Sequence, residues 1–174
     1  MNADVKKALK IGLILASIGG VSALVVSSVN LFTAPMIAKN KAEKEASALK
    51  EIFPDATKVE EAVELKSGSL LKYWPVSLPN EEARIYSCSG KNGYGAVSLL
   101  IGVYSDFSLG RMSIIENTET YGSTLNQNYI APYQYYETAE QREAALNNVT
   151  CGATYGAKLI KGMVLEAVAH YKEA

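Results

Sequence analysis

A chain of 174 residues with 17 Lys and Arg against 18 Asp and Glu carries a formal net charge of −1. That length suits one modest domain plus an accessory segment. The balanced charge argues against a nucleic-acid footprint, and there is no Walker loop, paired-histidine spacing or Cys-x-x-Cys to suggest nucleotide, metal or dithiol chemistry.

Residues 1–10 form a short N-terminal stretch containing Lys6, Lys7 and Lys10. From Ile11 to Ala38 there is no charged side chain, and Ile11 to Phe32 alone is long enough to cross a hydrocarbon core of roughly 30 Å as a helix. A cleaved signal peptide is the rival reading, since lysines precede the run and Val21-Ser22-Ala23 resembles a cleavage site. The apolar run continues through Leu24-Val25-Val26 and Val29 to Phe32, further than a signal peptide needs. Residues 11–34 are therefore expected to be a permanent anchor in the lipid bilayer. Gly12, Ala16 and Gly20, with Gly19, Ala23 and Ser27, make two small-residue stripes. These suit close helix packing, or reflect the ordinary frequency of small residues in membrane helices. Lys39, Lys41 and Lys44 follow the span as Lys6, Lys7 and Lys10 precede it, so lysine counting leaves the orientation open.

Pro35 marks the expected exit from the membrane, and residues 35–57 are expected to be the connecting segment, with an amphipathic helix from Lys39 to Phe53. Ala42, Ala46, Leu49 and Phe53 fall on one side of it, and Pro54-Asp55 ends it. Residues 58–174 then read as the soluble domain. β-rich segments run from Lys58 to Leu65, Ala83 to Cys88, Ala96 to Tyr104 and Arg111 to Asn117. Turns are expected at Gly90-Lys91-Asn92-Gly93 and from Asp106 to Gly110, which makes the later strands antiparallel hairpins. A closing helix spans Tyr155 to Tyr171. The fold class is α+β: one transmembrane helix, then a small domain with an antiparallel sheet covered by helices.

In that closing helix Ile160, Met163, Val164, Ala167, Val168 and Tyr171 follow the spacing of one buried face. This places Thr154 just before or within the first turn, where backbone N–H groups lack intrahelical partners and the partial positive charge suits a phosphate. A hydroxyl held there can cap the helix or carry a phosphoester. His170, the only histidine, lies in the last turn, where the helix dipole or plain exposure accounts for it.

The segment Asn148-Val149-Thr150-Cys151-Gly152-Ala153-Thr154 resembles the flavinylation motif of the FMN-binding domain family, Asp-x-x-Ser/Thr-Gly-Ala-Thr. Within it the chain is similar to the G subunits of Rnf-type ferredoxin:NAD oxidoreductases, paralogues of the C subunit of Na⁺-translocating NADH:quinone reductase. Two positions depart from the motif: Cys151 stands where Ser or Thr is usual, and Asn148 at the customary Asp. The resemblance extends in order along the chain. Thr33 to Ile37, Asn40, Ala48-Leu49 and Ile52-Phe53-Pro54 are similar to the family's post-membrane segment. Gly93-Tyr94-Gly95 before Ala96 to Val103 looks like its glycine-tyrosine-glycine strand start. Arg111 to Glu119-Thr120-Tyr121-Gly122 resembles the strand leading to its Glu-Thr-Pro-Gly loop, with Tyr121 for the proline.

The resemblance implies an FMN joined through a phosphoester to Thr154, with Gly152 and Ala153 letting the backbone pass close to the phosphate and Cys151 completing the motif. It places Glu119, Thr120 and Gly122 along the flavin. It implies other subunits of an Rnf-type complex and a flavin transferase as partners, and a single-pass location in the cell (inner) membrane with the flavin domain on the extracytoplasmic side. The chain is then a redox subunit relaying electrons in an ion-translocating complex rather than a complete enzyme. No catalytic residue or metal ligand is assigned.

The residues alone leave alternatives open. Gly-Ala-Thr also reads as an ordinary helix start, and Glu119 to Gly122 as a polar turn. A structural or assembly subunit without flavin is the second reading, favoured by Asn148, Cys151 and Tyr121. An anchored small-molecule-binding domain is the third. Cys88 and Cys151 can pair or be two small buried residues. Tyr129, Tyr133, Tyr135 and Tyr136 can stack on a flavin or pack an irregular loop, and Asn148-Val149-Thr150 also fits a glycosylation acceptor.

Overall fold

The computed structural model of this chain describes residues 3–130 and 152–173. It divides into two units, one ending at Ala42 and one beginning at Glu43.

Helix α1 (Ala3–Ile52) is continuous over 50 residues, with Pro35 inside it. The expected anchor and connecting helix are thus one element. Proline removes one i→i−4 hydrogen bond, a loss that membrane helices tolerate better than soluble ones. The helix is long and apolar enough to cross a membrane, with a mean hydropathy of 2.1 in an 18-residue window that is unburied. Leu13, Ile14, Leu15, Ile18 and Val21 are all exposed. Consecutive positions point to every side, so the span is apolar all round and calls for lipid or other helices around it. Ser17, Ser28 and Thr33 donate their hydroxyls to the carbonyls of Leu13, Leu24 and Val29, one turn back. These three polar side chains thereby find an acceptor within their own helix.

The second unit is built on a six-stranded antiparallel sheet: β1 (Lys58–Val59), β2 (Val63–Ser67), β3 (Leu70–Ser77), β4 (Glu82–Asn92), β5 (Gly95–Tyr104) and β6 (Leu109–Asn117). The order is β1-β3-β4-β5-β6, and β2 also pairs β3. The single strand expected from Lys58 to Leu65 is two short ones that meet β3 in succession, Val59 opposite Val76 and Val63 opposite Tyr73. Strand β3 has no counterpart in the sequence reading. Pro75 lies at the join between its two partners, where the Glu60 amide donates to the Pro75 carbonyl at 2.9 Å. A proline at such a break does not interrupt a continuous ladder, which is why a strand can hold it. Strand β4 runs to Asn92, so the expected turn shrinks to Gly93-Tyr94, and Asn92 pairs with Gly95. The next turn ends at Ser108, and Gly110 belongs to β6.

Strand β5 is buried along almost its whole length, as a strand covered on both faces must be. Val97, Leu99, Ile101 and Val103 face helix α3 (Thr154–Glu173), whose Ala157, Ile160, Met163, Val164 and Ala167 pack on them. The expected helical face is the observed one. Leu100, with Trp74, Val76, Ile85 and Ile115, faces the other way and is covered by Ala48, Ile52 and Phe53 at the end of α1. Of the expected stripe Leu49 and Phe53 do pack there, beside Ala48 and Ile52, whereas Ala42 and Ala46 are exposed. A Cβ on Gly102 would lie 2.7 Å from Ile52 and 2.9 Å from the Phe53 ring, so glycine lets this segment sit flat on the sheet. Lys72 bonds Glu45 at 3.1 Å and lies 4.6 Å from the centre of the Trp74 ring, and Ser87 reaches Glu45 at 3.3 Å. A short helix α2 (Gln127–Ile130) follows β6.

On the α3 side, the Glu166 carboxylate closes the β2–β3 turn. It accepts from the Ser69 amide at 3.2 and 3.1 Å and from the Ser69 hydroxyl. Glu166→Ala should destabilise the protein by about 2 kcal/mol, the range for hydrogen bonds to a charged group. Thermal unfolding of the full-length chain in detergent, followed by far-UV circular dichroism, reads this as a fall of several degrees.

Candidate functional site

Helix α3 begins at Thr154, as the spacing of its buried face predicts. The Ala153 carbonyl accepts the first intrahelical bond, from the Ala157 amide at 2.9 Å. Ala153 is therefore the cap residue and Thr154 the first helical position, so Thr154 is not the cap. Alanine offers no side-chain acceptor, so the amides of the first turn are left without the partner a Ser, Asn or Asp would supply. Ala153 is buried, which fixes the start of the helix, whereas Thr154 is exposed. Gly152 is also exposed, and a Cβ there would meet nothing within 4 Å. Among the described residues the site thus has an accessible hydroxyl, first-turn amides without a side-chain cap, the positive end of a 20-residue helix and open space. That donor set and that room fit a phosphoester.

Two other elements converge on this helix end. After β6 the chain turns sharply, the Gly122 amide donating to the Glu119 carbonyl at 2.9 Å. Asn117 holds the turn from inside: its Nδ2 reaches the carbonyls of Gly122 at 3.1 Å and Leu125 at 2.9 Å, and its Oδ1 accepts from the Glu119 amide. Glu119 is only 8% exposed, a burial that a carboxylate tolerates when paired. Its Oε1 accepts from Asn92 Nδ2, at the tip of the β4–β5 hairpin. The same carboxylate lies against the first turn of α3, for a Cβ on Gly156 would fall 2.9 Å from its Oε1 and 2.2 Å from Leu125 Cδ1. Any larger side chain at Gly156 would drive the loop from the helix. A negative group beside a helix start is also favourable to the dipole.

The hairpin tip is fixed in turn. Asn92 Oδ1 accepts from the Tyr94 amide at 2.7 Å, and the Tyr94 carbonyl accepts from both the amide and the hydroxyl of Thr120, at 3.0 and 3.1 Å. The Tyr94 ring lies 5.2 Å from that of Tyr155. The fold therefore brings Glu119 to the helix end that carries Thr154. The Thr120 hydroxyl is engaged by the Tyr94 carbonyl of the hairpin tip, and the Gly122 amide by the Glu119 carbonyl of its own loop. Asn92, Tyr94, Asn117, Tyr155 and Gly156 complete the arrangement, and the sequence reading singles out none of them for the site. Asn92 beside the Gly-Tyr-Gly turn is the one signal that points to it.

Cys151, Asn148, Tyr133, Tyr135 and Tyr136 fall outside the described residues, while Tyr129 packs against the core. Cys88 is fully buried under α3, and burial pushes its thiol well above the ordinary range. His170 is neither a solvent-exposed nor an isolated group: its Nδ1 lies 3.1 Å from the Tyr86 hydroxyl, with the Tyr73 ring at 5.7 Å. Burial raises the Tyr86 phenol, against the lowering effect of Arg84. Arg84 sits over the rings of Tyr171 and Tyr73 beside a cavity of about 190 Å³ remote from Thr154. No group of His, Cys, Asp and Glu that could hold a metal ion occurs among the described residues.

In comparisons with known proteins, the family model of the RnfG N-terminal region matches residues 1–52. No curated protein matches the chain. The match covers α1, so it bears on the anchor and the start of the domain; the Thr154 region stands on its own geometry and motif.

Proposed function

We propose, from the premise that this chain belongs to the RnfG family and is a subunit of an Rnf complex, that it carries FMN covalently on Thr154 and relays electrons within that complex. The observation that carries the reading is the exposed Thr154 at the start of α3, next to a cap residue, Ala153, that has no side-chain acceptor, with the buried Glu119 of the companion loop against the same turn. Bound FMN supplies one- and two-electron redox chemistry. The chain supplies the rest: Thr154 the point of attachment, the first-turn amides the donors for the phosphate oxygens, and Gly152 the room. Attachment requires a transferase using FAD and Mg²⁺. The Thr154 hydroxyl oxygen bonds to the flavin-side phosphorus as the pyrophosphate bond breaks, AMP leaves, and the hydroxyl proton passes to a base of the transferase. The anchor is a single bilayer-spanning helix, and the domain stands on the extracytoplasmic side, where a lost flavin is not readily replaced.

Intact and peptide mass spectrometry of the protein from cells that contain the transferase tests this. The expected result is a Thr154 peptide heavier by FMN less one water, with a fluorescent band in a denaturing gel. An unmodified peptide overturns it and leaves an assembly subunit, the reading that Asn148, Cys151 and Tyr121 favour.

A further inference from the structure

Two large rings stand open to solvent beside Thr154. Tyr155, the next residue, is 61% exposed, and Tyr94 is 48% exposed. They pair with each other, centroids 5.2 Å apart and planes at 33°, instead of entering the core a few residues away. Both are held by the groups that build the site. Tyr155 lies in the first turn of α3, whose start is fixed by the buried Ala153. Tyr94 is fixed at its amide by Asn92 and at its carbonyl by Thr120, the neighbours of Glu119 in space and in sequence. Aromatic surface left uncovered yet rigidly placed is suited to receive another ring, because little ordering remains to be done on contact.

We infer that Tyr94 and Tyr155 form a plate on which the isoalloxazine ring of the flavin on Thr154 stacks. This rests on the covalent-flavin reading above. The tether makes stacking an intramolecular event, with an effective concentration on the order of millimolar, so even a weak ring contact stays populated. The two tyrosines are positioning residues: they set where the ring rests and shield one of its faces from water, while Thr154 alone holds it.

Tyrosine in ring contact quenches flavin emission, which gives a readout independent of electron transfer. The full-length chain is produced with its transferase, and intact mass first establishes one FMN per chain in each sample. Folded wild type should then be several-fold dimmer than the same protein in denaturant. Tyr94→Leu with Tyr155→Leu should recover most of that intensity in the folded state at unchanged flavin content, and lose the induced circular dichroism of the flavin bands. The paired Phe variants should keep the dichroism and still brighten, because phenylalanine stacks without quenching. Tyr121→Phe, an exposed ring on the adjoining loop, should change neither signal. Loaded wild type that is as bright folded as unfolded, or a Leu pair as dim as wild type, overturns the plate while leaving the attachment intact. Wild type without the FMN mass overturns both.

Discussion

Thr154→Ala is expected to remove covalent flavin completely while leaving the fold in place. Attachment needs the side-chain oxygen, and among the described residues Thr154 supplies the one aliphatic hydroxyl at the start of α3. The fold should not suffer: Thr154 is exposed, the first intrahelical bond is accepted by Ala153, and alanine has the better helix propensity. Stability should therefore stay within about 0.5 kcal/mol, the usual range for a surface substitution. Intact mass and in-gel fluorescence should both fall to background, and electron transfer through the complex should fall with them. Thr154→Ser keeps the oxygen and should keep measurable flavin. Full electron transfer by the unmodified alanine variant would sink the proposed function.

Gly95→Ala should be the most damaging single methyl group at the site. Gly95 has a φ of +152°, and an added Cβ would lie 2.4 Å from the Thr118 carbonyl oxygen and 2.6 Å from the Glu119 Cα and amide nitrogen. Those are backbone atoms, so no side chain can rotate away. Strain and overpacking together should cost about 3 kcal/mol, a fall in melting temperature of roughly 10 °C for a domain of this size. The loop bearing Glu119 can relieve the clash only by leaving the hairpin, so flavin incorporation should fall as well. Gly93→Ala, two residues away with nothing within 4 Å of its Cβ, is the control and should be nearly neutral. Equal melting temperatures for the two variants would show that the loop yields without cost.

How far each element can be read in the sequence depends on whether its signal is local. The apolar run of α1 and the face of α3 announce themselves because every residue that matters lies within the element. So does Ala96 to Tyr104, which reads as a strand whichever neighbours it has. Strand β3 is hidden, because Pro75 is admissible only where β1 gives way to β2, a property of the partners. The boundaries of β4 and β6 fail for a related reason. Gly90 and Gly110 look like turn residues, yet their missing side chains make room for Leu159 of α3 and for Phe53. At the site, Glu119 and Thr154 are marked by their motifs. Their meeting through Asn92, Asn117 and Gly156 is a product of three elements far apart in sequence, and no spacing along the chain encodes it.

The sheet is closed on one face by residues that precede it and on the other by a helix that follows it. A growing chain therefore exposes Ile52 and Phe53 before there is a sheet to receive them, and completes the sheet before α3 exists to cover it. Glu119 is synthesised without the helix end against which it rests, and Thr154 emerges only after the hairpin that holds Glu119. The acceptor environment is consequently absent from every shorter nascent chain. A transferase of the proposed kind that reads Thr154 in that setting would meet it only after α3 has been made and has packed on the sheet.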